Sequence, residues 1–137
     1  VIRWLLPSAA GSVELSKLIR SAHTASEQSI FFAVVIGPDC PMPGMDCRRA
    51  LVRDHDELTD ILMASHVVLL GQTLRQAMIR SVLAGLGLLL GKRMSYETDP
   101  SPSVLAKAIS TQLGIPAGSL RKKLLAAGIL DAAEFDV

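Results

Sequence analysis

Residues 29–36 read SIFFAVVI, and this run decides the fold. Everything after Ser29 is apolar, and β-branched or aromatic side chains dominate. A strand with one wet face would alternate apolar and polar residues. An unbroken run of this length instead marks a strand buried on both faces, as in a parallel sheet layered on each side. Working back from it, residues 1–6 (VIRWLL) form a short apolar run closed by Pro7, which reads as a second strand with Trp4 helping to fill the core. Between the two, residues 13–25 have helical spacing. Val13, Leu15, Leu18, Ile19 and Ala22 share one broad face, Glu14, Lys17 and Arg20 are solvated, and Ser12 is the expected cap. Glu14 and Lys17 are close enough to pair, and His23 lies near the C-terminal end, where an imidazole is favoured. Strand, helix and strand make a βαβ unit, right-handed by the usual rule.

Working forward, residues 37–46 (GPDCPMPGMD) are the most irregular of the chain. They follow the carboxyl end of the central strand, where ligands of open α/β sheets most often bind. Asp39, Cys40, Met42 and Asp46 are therefore the ligand-contact candidates, set against a plain rigid connection. Residues 48–52 read as a short strand and 54–64 as a helix. Asp54, Asp56 and Glu57 would stand early in that helix, where the dipole favours acids, and with Asp60 they would form a solvated acidic face. Residues 67–70 (VVLL) read as a further buried strand with His66 at its boundary. Residues 71–82 read as a helix with Leu74, Ala77, Met78 and Val82 inward and Arg75, Gln76 and Arg80 outward. Residues 83–90 either extend it or form a strand after Gly87. Residues 91–103, polar and carrying two prolines, read as a connector.

The C-terminal part is a separate pattern. In residues 103–129 (SVLAKAISTQLGIPAGSLRKKLLAAGI), Val104, Leu105, Ala108 and Ile109 form an apolar stripe. Leu113, Gly114 and Ile115 interrupt it, and helical spacing resumes at Ser119, Leu120, Lys123 and Leu124. Two short helices joined by a Gly-containing turn form a helix-turn-helix, with Gly114 at a position that tolerates positive φ and Pro116 opening the second helix. The segment resembles the Fis-type DNA-binding helix-turn-helix that closes bacterial enhancer-binding activators. Ala108 and Ile109 match its small-apolar pair, Leu113-Gly114-Ile115 its turn, Leu120 and Leu124 its second-helix core, and Gly128-Ile129 its close. Pro116, Ala117 and Gly118 depart from the hydroxyl cap and polar residues of that family, and Leu125, Ala126 and Ala127 are more apolar than a groove-facing helix needs. The resemblance implies a homodimer on double-stranded DNA. Ser119, Arg121 and Lys122 would enter the major groove while Lys107 and Lys123 touch phosphate.

Charge is divided along the chain. The net formal charge is +1, yet residues 101–130 hold Lys107, Arg121, Lys122 and Lys123 with no acid, and the closing DAAEFDV is acidic. Such a patch suits phosphate contacts, and a terminal acidic run could quiet it in cis. The chain has 137 residues, half of them apolar, which fits one domain or one domain with a small appendage. Its two cysteines make no disulfide framework. Nucleotide-loop, nucleophile-elbow and zinc-helix motifs are missing. Cys40, Cys47 and His55 match no common metal spacing, and Cys40 as a nucleophile would need His55 within reach. No catalytic residue, metal or cofactor is expected, and an enzyme ranks behind two binding readings. The most apolar run, residues 82–90, is far short of the roughly 20 residues needed to span a bilayer. No signal-peptide pattern precedes it, so a cytoplasmic, membrane-free protein is expected.

These observations predict an α/β fold: a small two- or three-layer body over residues 1–95 that senses a signal or dimerises, then a linker and helix-turn-helix-like unit over 96–137. The function expected is DNA-binding transcriptional regulation. The rival is a non-enzymatic protein-interaction module (an adaptor, chaperone-like factor or complex subunit) whose C-terminal helices pack on the body or on a partner protein.

Overall fold

A computed structural model describes residues 1–90, 96–99 and 101–135. Four parallel strands, β1 (Ile2–Trp4), β2 (Ile30–Ile36), β3 (Leu62–Leu69) and β4 (Tyr96–Asp99), lie side by side in sequence order. Helices α1 (Ala9–Ser26), α2 (Met45–Leu58) and α3 (Leu74–Leu90) fall between successive strands, while α4 (Pro102–Leu113), α5 (Ala117–Ala126) and α6 (Ala132–Phe135) follow β4. The fold is α/β, as the central run predicts.

Strand alternation sends the residues of β2 into two cores. Ala33 and Val35 join Val68 and Leu70 against Leu105 and Ile109 of α4, Leu120 and Leu124 of α5, and Phe135 of α6. Val34 and Ile36 join Val67 and Leu69 against Ile79 and Leu83 of α3, with Trp4 partly buried beside them. Both faces of β2 are thus covered. Leu105 is completely buried, worth about 1.5–3 kcal/mol for one such side chain. The two cores together make three layers: helices, sheet, helices.

Several local expectations change. α1 begins one turn earlier than its apolar spacing suggests, because Ser8 rather than Ser12 is the cap; its Oγ accepts the Gly11 N–H at 2.9 Å. Ser12 is buried instead, and its hydroxyl donates to Asp54 Oδ2 at 2.7 Å. Val13 and Leu18 stay exposed while Ile19 is buried, so the inward face is narrower than predicted. The Glu14–Lys17 pair forms, at 2.8 Å.

The strand expected at 48–52 and the helix expected at 54–64 are replaced by one helix, α2, followed by β3. Cys47, Ala50, Asp54 and Leu58 recur at helical spacing on its buried side, and that periodicity outweighs the brief apolar run at 50–52. Asp54, Asp56 and Glu57 therefore stand in the last part of a helix, where the dipole disfavours carboxylates. Asp54 is buried rather than solvated, held by Ser12 and by Arg53 at 2.7 Å. Glu57 meets Arg20 of α1 at 3.2 Å.

In α3 the inward residues are Gln76, Ile79 and Leu83, with Leu74 and Met78 outward. Gln76 Nε2 donates to the Gly37 carbonyl at 2.7 Å, a carbonyl that also accepts the Cys40 N–H at 3.2 Å, so this side chain ties α3 to the loop after β2. Residues 83–90 extend the helix without a strand. Part of the expected connector, residues 96–99, forms β4 at the sheet edge, and residues 91–95 lie outside the described residues. Among the described residues no helix is long and apolar enough to cross a membrane.

Candidate functional site

The C-terminal helices follow the sequence reading closely. Ser101 caps α4 by accepting the Val104 N–H, and Gly114 closes it in the left-handed region at φ 66. Pro116 is the N-cap of α5, one position outside the helix. α5 ends with Gly128 at φ 65, where the Ile129 N–H reaches Leu124 O and the Gly128 N–H reaches Leu125 O. This is the Schellman arrangement that favours glycine.

The hairpin packs on the body, as the rival sequence reading expects of these helices. Leu105, Ala106 and Ile109 of α4 and Leu120 and Leu124 of α5 are buried in one core with the sheet, and Leu125 packs partly against it. Of the predicted DNA contacts, Lys107, Ser119, Arg121, Lys122 and Lys123 are all exposed. Consecutive helical residues turn by about 100°, so Arg121, Lys122 and Lys123 fan around α5 and do not share one face. Arg121 leans over the Phe135 ring, 5.2 Å from its centroid, a cation–π contact that draws it toward α6.

The acidic tail is engaged elsewhere. Asp131 and Glu134 cap α6 reciprocally, each side chain accepting the other's backbone N–H at 2.9 Å, in the manner of a capping box. Glu134 also takes a bidentate pair of bonds from Arg3 of β1, both 2.8 Å, while Arg3 Nη1 donates to Ile129 O. The Arg3 hydrogen bond holds the Glu134 carboxyl below its usual range, and Glu134 in turn raises Arg3. The clamp fixes the C-terminal helices to the first strand.

The irregular loop is divided in its behaviour. Asp39 is exposed, and Asp46 is exposed in the first turn of α2. Cys40 is buried in the second core and Met42 packs against it. Burial pushes the thiols of Cys40 and Cys47 up, away from the thiolate that a nucleophile or ligand requires. The four loop candidates thus do not converge. Among the described residues no three His, Cys, Asp or Glu side chains are grouped to hold a metal ion.

Three further features have no pattern in the sequence. His66 lies inside β3 rather than at its boundary; it is buried, its Nδ1 bonds Asp99 Oδ2 of β4 at 2.8 Å, and its ring stacks on Phe31. The preceding residue, Ser65, points to the opposite face by strand alternation, so Ser65, His66 and Asp99 assemble no triad. Ser65 lines a small cavity of about 60 Å³ between the sheet, α2 and α3, bounded also by Phe32, Leu51, Leu83, His55 and the neighbouring His66. Its hydroxyl has no hydrogen-bond partner among the described residues, and burial lowers the His55 imidazole to about 4.

The third feature is on the surface. Between α2 and α3 runs an open groove of about 570 Å³, with Val52, Val82, Gly85 and Leu86 as its apolar part and Arg48, Arg49 and Arg53 along the α2 side. Beside it, Leu74, Met78 and Leu88 of α3 are 79%, 53% and 85% exposed. At about 100° per residue these three fall within one arc of about 80°, on the side of α3 away from the core-facing Leu83, with Ser81 and Gly85 between Met78 and Leu88. α3 is therefore apolar on both sides.

No protein-family model matches the chain, and neither a curated protein nor a solved structure matches it, so its function is read from its own residues.

Proposed function

We propose that the chain is a non-enzymatic protein-interaction module that docks a partner on the outer side of α3 and the adjoining edge of α2. The observation that carries this reading is the stripe of Leu74, Met78 and Leu88. Scattered exposed apolar residues are normal, but an aligned stripe beside an apolar groove marks an interaction surface. Support also comes from the C-terminal helices, whose apolar faces are already used in the body's core. The test is site-specific photocrosslinking with benzoylphenylalanine at Met78 and, as a control, at exposed Glu57, in the cells that produce the protein. A discrete adduct from position 78 alone is the expected result. Equal adducts at both positions, or none at 78, would remove the proposal.

A second reading keeps the DNA contact, and the exposed Ser119, Lys122 and Lys107 favour it. It is tested by anisotropy of mixed duplex DNA at about 50 and 200 mM salt, comparing the natural chain with a variant in which Arg121, Lys122 and Lys123 are alanine. Phosphate-driven binding falls steeply over that salt range. Binding that is salt-sensitive and lost in the variant would establish nucleic-acid contact; flat anisotropy at micromolar protein would end that reading.

A further inference from the structure

We infer that the groove between α2 and α3 takes an amphipathic helix of a partner protein, with an apolar stripe flanked along one edge by acidic residues. The inference rests on the interaction reading and names the partner's chemistry. Its argument is the asymmetry of the groove. The α2 side carries Arg48, Arg49 and Arg53, and the α3 side offers Val82, Gly85 and Leu86 without a charge. Arg53 is already paired with Asp54, but Arg48 and Arg49 have no ion pair among the described residues, and Arg48 is steadied by its Nε bond to Pro43 O at 2.9 Å. Two guanidiniums thus face the groove with carboxylate-binding capacity in hand, and guanidinium–carboxylate pairing is bidentate and orienting.

A helix fits better than an extended strand. The groove is bounded by two helices, and a third can lay its side-chain ridge between theirs. Gly85 leaves the α3 wall of the groove without a side chain, and a Cβ placed there meets nothing within 4 Å. The basic wall then fixes which way round the incoming helix sits: acids toward α2, apolar residues toward α3.

The test uses the full chain and a fluorescein-labelled helical peptide with Leu at helical spacing and Glu along one flank. Its control is the same peptide with Lys for each Glu. The expected result is salt-sensitive binding of the Glu peptide, at least about tenfold tighter than the Lys peptide. Arg49→Glu should weaken it about tenfold, and Gly85→Leu should abolish it with no loss of thermal stability, because its side chain fills the groove from open space. Equal affinity for the two peptides, or binding indifferent to both substitutions, overturns the inference. So does binding to phosphatidylserine vesicles without peptide binding, which would make the groove a membrane contact. A concentration-dependent dimer abolished by Gly85→Leu would make the occupant a second copy and overturn it as well. If the position-78 crosslink persists while the peptide fails, only this inference falls; if both fail, the interaction reading falls with it.

Discussion

Replacing His55 with leucine isolates one half-buried imidazole as the source of acid sensitivity. His55 projects from α2 toward the cavity bounded by Phe32, Leu51 and Leu83. Burial lowers its folded-state value to about 4, against an ordinary 6.5. A histidine held low folds best when neutral, so its contribution is fully present above 6.5. That contribution is lost as pH falls from 6.5 toward 4, because the unfolded chain takes up the proton first. The whole difference is worth about 3 kcal/mol, and about 2 kcal/mol of it is lost between about pH 7.5 and pH 5. Urea unfolding at those two pH values supplies the measurement. The natural chain should lose about 2 kcal/mol more than His55→Leu over this interval. Leucine suits both the helix and the apolar lining, so the variant's stability at the higher pH should be at least equal. Identical losses in the two proteins would show that His55 is not the group that titrates, and the cavity argument would fail with it.

Two other perturbations follow from the C-terminal packing. Glu134→Ala removes both the Arg3 clamp and half of the α6 cap, and should cost about 1–3 kcal/mol; hydrogen exchange should rise in residues 130–135 before the sheet is affected, and uniform loosening would contradict the clamp. Gly114→Ala forces a side chain into φ 66 and should cost about 1 kcal/mol, whereas Gly118→Ala in α5, where a Cβ meets nothing within 4 Å, should stabilise by about 0.5–1 kcal/mol; denaturant midpoints that moved the same way would refute the assignment of that turn.

What could be read from sequence was what is decided locally. The run ending at Ile36 announces burial on both faces because every position in it is apolar. The turn at Gly114 is legible because its conformation excludes most side chains and its neighbours have helical spacing on either side. α2 was hidden because its inward side carries Asp54, whose partner Ser12 is 42 positions away. The face of α3 was misread for the same reason. Gln76 is inward, bonded to a carbonyl 39 positions earlier, while Leu74 and Met78 point outward. The His66–Asp99 pair joins residues 33 apart, and neither residue has a local signature of the other. Periodicity reports the average polarity of a face; it cannot report which polar group a distant segment will satisfy.

The Arg3–Glu134 clamp has a consequence for synthesis. Its two halves are 131 positions apart, so at about 5–20 residues per second a ribosome makes the first on the order of ten seconds before the second. The strands pair in the order in which they emerge, so β1, β2 and β3 can assemble with α1 and α2 during that interval. The side of the sheet bearing Ala33, Val35 and Val68 has no cover until α4, α5 and α6 arrive. A growing chain therefore carries a bare apolar sheet face through much of its own translation, and slowing synthesis over the codons for residues 102–135 would prolong the period in which that face can meet a chaperone or another nascent copy.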